Sequence, residues 1–188
     1  MGIQINPIPA LALAIGLLLL AFYVFSRVRS DYLELGALSR PVAVLQTGYF
    51  FVYALSSYLF LDSILTAIVA RGPLLALAAI LMGVGLAVVL LSMPFLGRKS
   101  FGREVGRLHV SGLYLYSRNP QLVGSFIFII GYVLLWPSWT GLLWACVWLP
   151  IAYLMVRGEE EHLAMVFGEE YEAYRRRTPR YVGIPKRG

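Results

Sequence analysis

A chain of 188 residues that is 59% hydrophobic and only 14% charged, with a mean hydropathy of +0.73, lies far from the balance of a water-soluble domain. Its net charge of +6 comes from 16 Lys and Arg against 10 Asp and Glu, and in so apolar a chain that excess reads as membrane topology rather than as a nucleic-acid footprint. The single cysteine, Cys146, excludes an internal disulfide, and two distant histidines, His109 and His162, give no metal-ligand cluster.

Ile8 to Phe25 is an uncharged run behind Asn6 and Pro7, which suit a helix start. No Lys or Arg precedes it and no small-residue cleavage site follows, so it reads as a span and not as a signal peptide. Val42 to Ala70 is too short for two crossings of about 20 residues each and longer than one requires, so a single tilted or overhanging helix is expected. Asp62, its one charge, is expected near the far surface. Pro73 to Leu96 forms a third span, with Gly83-Val84-Gly85 flattening its middle, a feature that serves either close helix packing or approach of a ligand to the backbone. Gln121 to Trp136 and Gly141 to Val156 are apolar runs of 16 residues each, joined by Pro137, Ser138, Trp139 and Thr140. They predict a short helical hairpin whose arms, at about 24 Å, need flanking residues to cross a core of about 30 Å.

Five spans place Arg27, Arg29, Arg40, Arg98, Lys99, Arg103, Arg107, Arg118, Arg157, Arg175, Arg176, Arg177, Arg180, Lys186 and Arg187 on one side and leave only Arg71 on the other. The positive-inside rule makes the basic side cytoplasmic, with the N-terminus outside and the C-terminus inside. The expected architecture is an all-α polytopic membrane bundle of about five transmembrane helices in a single domain. Residues 1–96 give three N-terminal spans, and residues 97–188 a loop, the helical hairpin and an amphipathic cytoplasmic tail helix.

The spans hold few reactive groups, so chemistry is expected in the polar segments Gly97 to Asn119 and from Arg157 onward. Pro120 biases Asn119 away from helix and opens the next one, which puts Arg118 and Asn119 at a helix N-terminus suited to a carboxylate or phosphate. Lipid snorkelling by Arg118 is the alternative. In the tail, Leu163, Phe167, Tyr171 and Tyr174 recur at helical spacing, and Glu159 falls in register with that stripe directly after a membrane helix. A carboxylate there requires a partner or a purpose.

Gly112-Leu113-Tyr114, Arg118-Asn119-Pro120 and Gly124, then a short hairpin, then Glu159-Glu160-x-x-Leu163-x-x-x-Phe167-Gly168-x-x-Tyr171-x-x-Tyr174 resemble the integral-membrane methyltransferases. That superfamily includes isoprenylcysteine carboxyl methyltransferases and phospholipid N-methyltransferases. The resemblance runs from about Gly112 to Pro185 and implies S-adenosylmethionine as cofactor. It implies a pocket of Gly112, Leu113, Tyr114, Arg118, Asn119, Pro120, Gly124, Glu159 and Glu160, with Gly83 and Gly85 matching a GxG of the phospholipid branch. It further implies Glu159, Glu160 and Arg118 as the catalytic groups and a membrane lipid or lipidated molecule as acceptor, with no metal and no nucleic acid. Asn119 stands where many members have His, and an amide cannot shuttle a proton. The Asn119 to Ser125 stretch leans toward phosphatidylethanolamine-type N-methylation, and Phe167 to Tyr174 toward carboxyl O-methylation. An NADPH-dependent sterol or lipid reductase and a non-enzymatic membrane protein are the rival readings.

Overall fold

The computed structural model describes residues 7–61, 67–96 and 108–184, with residues 94–96 described by backbone only. Asp62 and the basic residues Arg98, Lys99, Arg103, Arg107, Lys186 and Arg187 lie outside the described residues. Among the described residues six α-helices follow in order: α1 (Pro7–Leu35), α2 (Arg40–Leu61), α3 (Gly72–Leu96), α4 (Pro120–Val133), α5 (Trp139–Phe167) and α6 (Glu169–Arg177), with one 3₁₀ turn at Gly112–Leu115. Four stretches, Pro7–Leu35, Arg40–Leu61, Gly72–Met93 and Trp139–Phe167, are long and apolar enough to cross a membrane. The fifth apolar segment makes an α-helix of only 14 residues, about 21 Å, which tightens at its end into a turn where the Leu135 and Trp136 N–H groups donate to the Tyr132 and Val133 carbonyls at 3.1 Å.

Three helices form the main bundle. Along α1 the buried residues Ala10, Ala14, Leu17, Ala21, Val24 and Val28 recur at spacings of four and three, a stripe rich in alanine that lets α5 approach closely. Arg29 pairs with Glu161 and Tyr32 stacks on His162, so the C-terminal ends of α1 and α5 lie together. Against them α2 runs antiparallel to α5. Tyr53 stacks on Trp144 with ring centroids 4.8 Å apart, donates its hydroxyl to the Trp144 carbonyl at 3.0 Å, and accepts from Trp144 Nε1 on its own carbonyl at 3.2 Å. Seven residues further along α2 and four residues earlier on α5, the Thr140 hydroxyl donates to the Phe60 carbonyl at 2.6 Å. Inside a bilayer such bonds hold two helices in register, because the groups find no water.

The remaining spanning helix, α3, packs chiefly on α4 and leaves most of its other surface open to lipid. Glycines bring the two backbones together. A Cβ on Gly85 would stand 2.5 Å from the Phe128 nitrogen and 2.6 Å from the Gly124 carbonyl oxygen, and one on Gly131 would stand 2.8 Å from the Ala78 carbonyl oxygen. The order of these contacts makes the pair antiparallel. Both ends are tied, by Val69 and Ala70 N–H groups donating to the Leu135 carbonyl and by the Tyr114 hydroxyl donating to the Ser92 carbonyl.

The tail departs from the single amphipathic helix expected after Arg157. α5 continues without a break through that residue to Phe167, and Gly168, at φ 50°, then turns the chain into α6. That left-handed backbone suits glycine, and it cuts the expected stripe between Phe167 and Tyr171. α6 thereby folds back toward the loop ahead of α4.

Candidate active site

Gly112 enters the 3₁₀ turn with φ 62°, a conformation open to glycine, and the turn delivers Tyr114 beneath α6. The Tyr174 hydroxyl donates to the Tyr114 carbonyl at 2.8 Å. Next, residues 116–119 run beside the extended tail, held by three further bonds. Arg118 N–H donates to the Pro179 carbonyl at 3.0 Å, Asn119 Nδ2 to the Arg180 carbonyl at 3.0 Å, and Gly183 N–H to the Tyr116 carbonyl at 3.2 Å. Asn119 is buried with φ −134° and ψ 58°, outside the helical region as Pro120 requires. Its side chain serves this strap and makes no cap bond to α4.

Glu160, on the last two turns of α5, is the hub. Its Oε1 lies 3.0 Å from Arg118 Nη1, and its Oε2 lies 2.6 Å from Arg180 Nη2. The Arg118 and Glu160 side chains are only 9% and 10% exposed. Removing one partner of such a pair leaves an uncompensated buried charge, at a cost of roughly 3–5 kcal/mol. Arg118 Nη1 also reaches the hydroxyl of buried Tyr171 at 3.5 Å. One carboxylate, two guanidiniums and a phenol thus join α5, the loop, α6 and the tail.

Glu159 is different. The apolar part of α5 ends at Val156, and Glu159 stands beyond it among polar residues, partly buried. It makes no ion pair or hydrogen bond among the described residues. Burial, with the Glu160 carboxylate as the second cause, pushes its pKa up to about 7. Its charge acts on Tyr32 at the end of α1 and on Tyr114, whose phenol is pushed up to about 12 by burial first and Glu159 second. Among the described residues, two buried polar atoms at the end of the loop and the start of α4 lack partners, Arg118 Nε and Gln121 Oε1, as does His162 Nδ1 three residues after Glu159.

The structure therefore brings Arg118, Asn119, Pro120, Glu160 and Tyr114 to one junction, with Glu159 on its α5 side. Gly112 shapes the turn, and half-buried Leu113 is part of it. Gly85 and Gly124 meet each other in the α3–α4 packing. Gly83 faces open space, with nothing within 4 Å of a Cβ placed on it. Sequence reasoning missed Arg180, Tyr32 and Gln121. Arg180 becomes visible only when the tail folds back, and Tyr32 only because α1 continues ten residues past the apolar run that ends at Phe25.

Among known proteins, the phospholipid methyltransferase family matches residues 73–170, which takes in α3, the loop, the hairpin and the paired glutamates. Protein-S-isoprenylcysteine O-methyltransferase of Schizosaccharomyces pombe is 35% identical over 79 residues, which is 42% of this chain. The match spans 33% of that relative's length. No solved structure matches.

Proposed function

The chain belongs to the phospholipid methyltransferase family, and from that premise we propose that it moves a methyl group from S-adenosylmethionine to the amine headgroup of a membrane phospholipid. The site would lie at the cytoplasmic interface, with the N-terminus outside, as the basic end of the bundle suggests. Of the three readings open at the level of sequence, methyl transfer is the one that family membership supports.

The residues present fit the donor. S-adenosylmethionine, when bound, supplies an electrophilic methyl group on a sulfonium beside an amino-acid end that carries both charges. Among the described residues, Glu159 is a carboxyl without a cation, Gln121 Oε1 a buried acceptor without a donor, and Arg118 Nε a buried donor without an acceptor. These would hold a cation, an amine and a carboxylate respectively. Glu160 is engaged twice by arginine, so its part is to orient Arg118 and Arg180.

The observation that carries the amine reading is the position of Glu159, with no ion pair among the described residues, where burial and the Glu160 carboxylate push its pKa up to about 7. An ammonium headgroup must lose a proton before its nitrogen has a lone pair to offer, and a carboxylate with that pKa suits its removal near neutral pH. A carboxylate acceptor has no such proton to lose. Positioning by the loop, which Tyr174 of α6 ties at the Tyr114 carbonyl, supplies the rest. Carboxyl O-methylation of an isoprenylcysteine-like acceptor is the second reading, and it rests on the likeness to the Schizosaccharomyces pombe enzyme.

Calorimetric titration of the detergent-purified protein with S-adenosylmethionine tests the donor assignment. Saturable heat is expected, with at least tenfold weaker binding in Glu159→Gln at unchanged helix content. No heat in the wild-type protein removes the proposal.

A further inference from the structure

A second feature lies on the tail side of Arg118. A cavity of about 240 Å³ opens between the loop and the end of α6, lined by the four arginines Arg118, Arg175, Arg176 and Arg177 with Thr178 and Ile184, and no carboxylate is among its lining residues. Arg118 and Arg175 each have a carboxylate partner, Glu160 and Glu172, but Arg176 and Arg177 make no ion pair among the described residues. The Arg118 side chain is 9% exposed. It lines this space beside three exposed guanidiniums, so an anion there would meet four positive groups and no carboxylate.

The rim points to the rest of the ligand. Val182 and Ile184, in the extended tail beside the cavity, are 73% and 88% exposed. Both belong to a segment outside the spanning helices, at the end of the bundle where an interface with lipid headgroups is expected. Basic cavity and apolar rim together suit an amphiphile with an anionic head. The planar guanidinium fork matches phosphate oxygens, and the volume exceeds the roughly 30 Å³ of one water severalfold, so a substituted phosphate fits. α6 turns its carbonyl end this way, a partial negative charge of about one half, which four guanidiniums outweigh.

We propose that this cavity binds the headgroup phosphate of an anionic phospholipid, as an accessory site separate from the place of methyl transfer. Glu159 and Glu160 do not line it, and Arg118 is the residue that joins the two. The proposal does not depend on the methyl-transfer reading.

Native mass spectrometry of the full chain, released from mixed phosphatidylglycerol and phosphatidylcholine nanodiscs, tests it. One phosphatidylglycerol is expected to remain bound in preference to phosphatidylcholine. Retention should fall at least tenfold in Arg176→Gln/Arg177→Gln, whose helix content and thermal midpoint should match the wild type. Arg27→Gln/Arg40→Gln removes two exposed charges from the same end of the bundle without touching the cavity, and should retain the lipid. An equal loss in both double variants would show general surface attraction and overturn the site. Dihexanoyl phosphatidylglycerol should displace the bound lipid where equimolar inorganic phosphate does not; equal displacement by inorganic phosphate would overturn the lipid assignment. S-adenosylmethionine binding by Arg176→Gln/Arg177→Gln should be unchanged, so failure of the donor assignment and failure of this one are read separately.

Discussion

Arg118 Nη1 and Glu160 Oε1 lie 3.0 Å apart with both side chains about nine-tenths buried, while the adjacent carboxyl of Glu159 has no cation among the described residues. Two consecutive acids on one helix therefore have opposite electrostatic situations. Successive residues project about 100° apart around α5, so Glu160 meets the loop and tail while Glu159 looks toward Tyr32 and Tyr114.

Breaking the hub should cost stability. Glu160→Gln leaves Arg118 buried without its counter-charge, and thermal unfolding in detergent should register a loss of roughly 3–5 kcal/mol. Arg180→Gln should cost only up to about 1 kcal/mol, because that side chain is 35% exposed and Glu160 keeps Arg118. Equal effects from the two substitutions would mean that the buried pair is not the anchor.

Glu159 should set the pH response. Its folded-state pKa, about 7, lies above the ordinary 4.5, so the folded protein holds this proton more tightly than the unfolded chain. Its contribution to stability is fully present below about pH 4.5 and is lost as pH rises through about 7. Glu159→Gln should therefore raise the thermal midpoint at pH 8 while lowering activity. In activity, kcat/KM should climb with unit slope below about pH 7 and level off above it. A cationic donor favours the charged carboxylate, so the matching limb in kcat should sit at lower pH.

The two glycines of α3 should separate packing from ligand approach. Gly85→Ala places a Cβ 2.5 Å from the Phe128 backbone, and α3 and α4 must move apart. A fall of several degrees in the thermal midpoint is expected. Gly83→Ala meets open space and should leave that midpoint unchanged. Loss of S-adenosylmethionine binding in Gly83→Ala at intact stability would assign that glycine to the donor.

Much of this was legible from the chain. Apolar runs with alternating basic connections imply the order of crossings, and Pro120 implies the irregular backbone at Asn119. Helix ends were less legible. α1 overruns its apolar segment to Leu35, since Arg27 to Leu35 can continue a helix in water as well as in lipid. Gly168 reads as one residue of a regular stripe until its φ of 50° is seen, and only the resulting reversal brings Tyr171, Tyr174 and Arg180 onto the loop. Periodicity identifies the neighbours of a residue along its own helix, whereas Arg118 and Arg180 reach Glu160 from elements 42 and 20 residues away along the chain.

Transfer of a radiolabelled methyl group from S-adenosylmethionine to phosphatidylethanolamine by the purified protein, with Glu159→Gln alongside, is the most direct measurement. Label is expected in the N-methylated lipid, identified by mass, with at least a hundredfold less in Glu159→Gln. Label absent from the lipid, or present equally in both proteins, would contradict it.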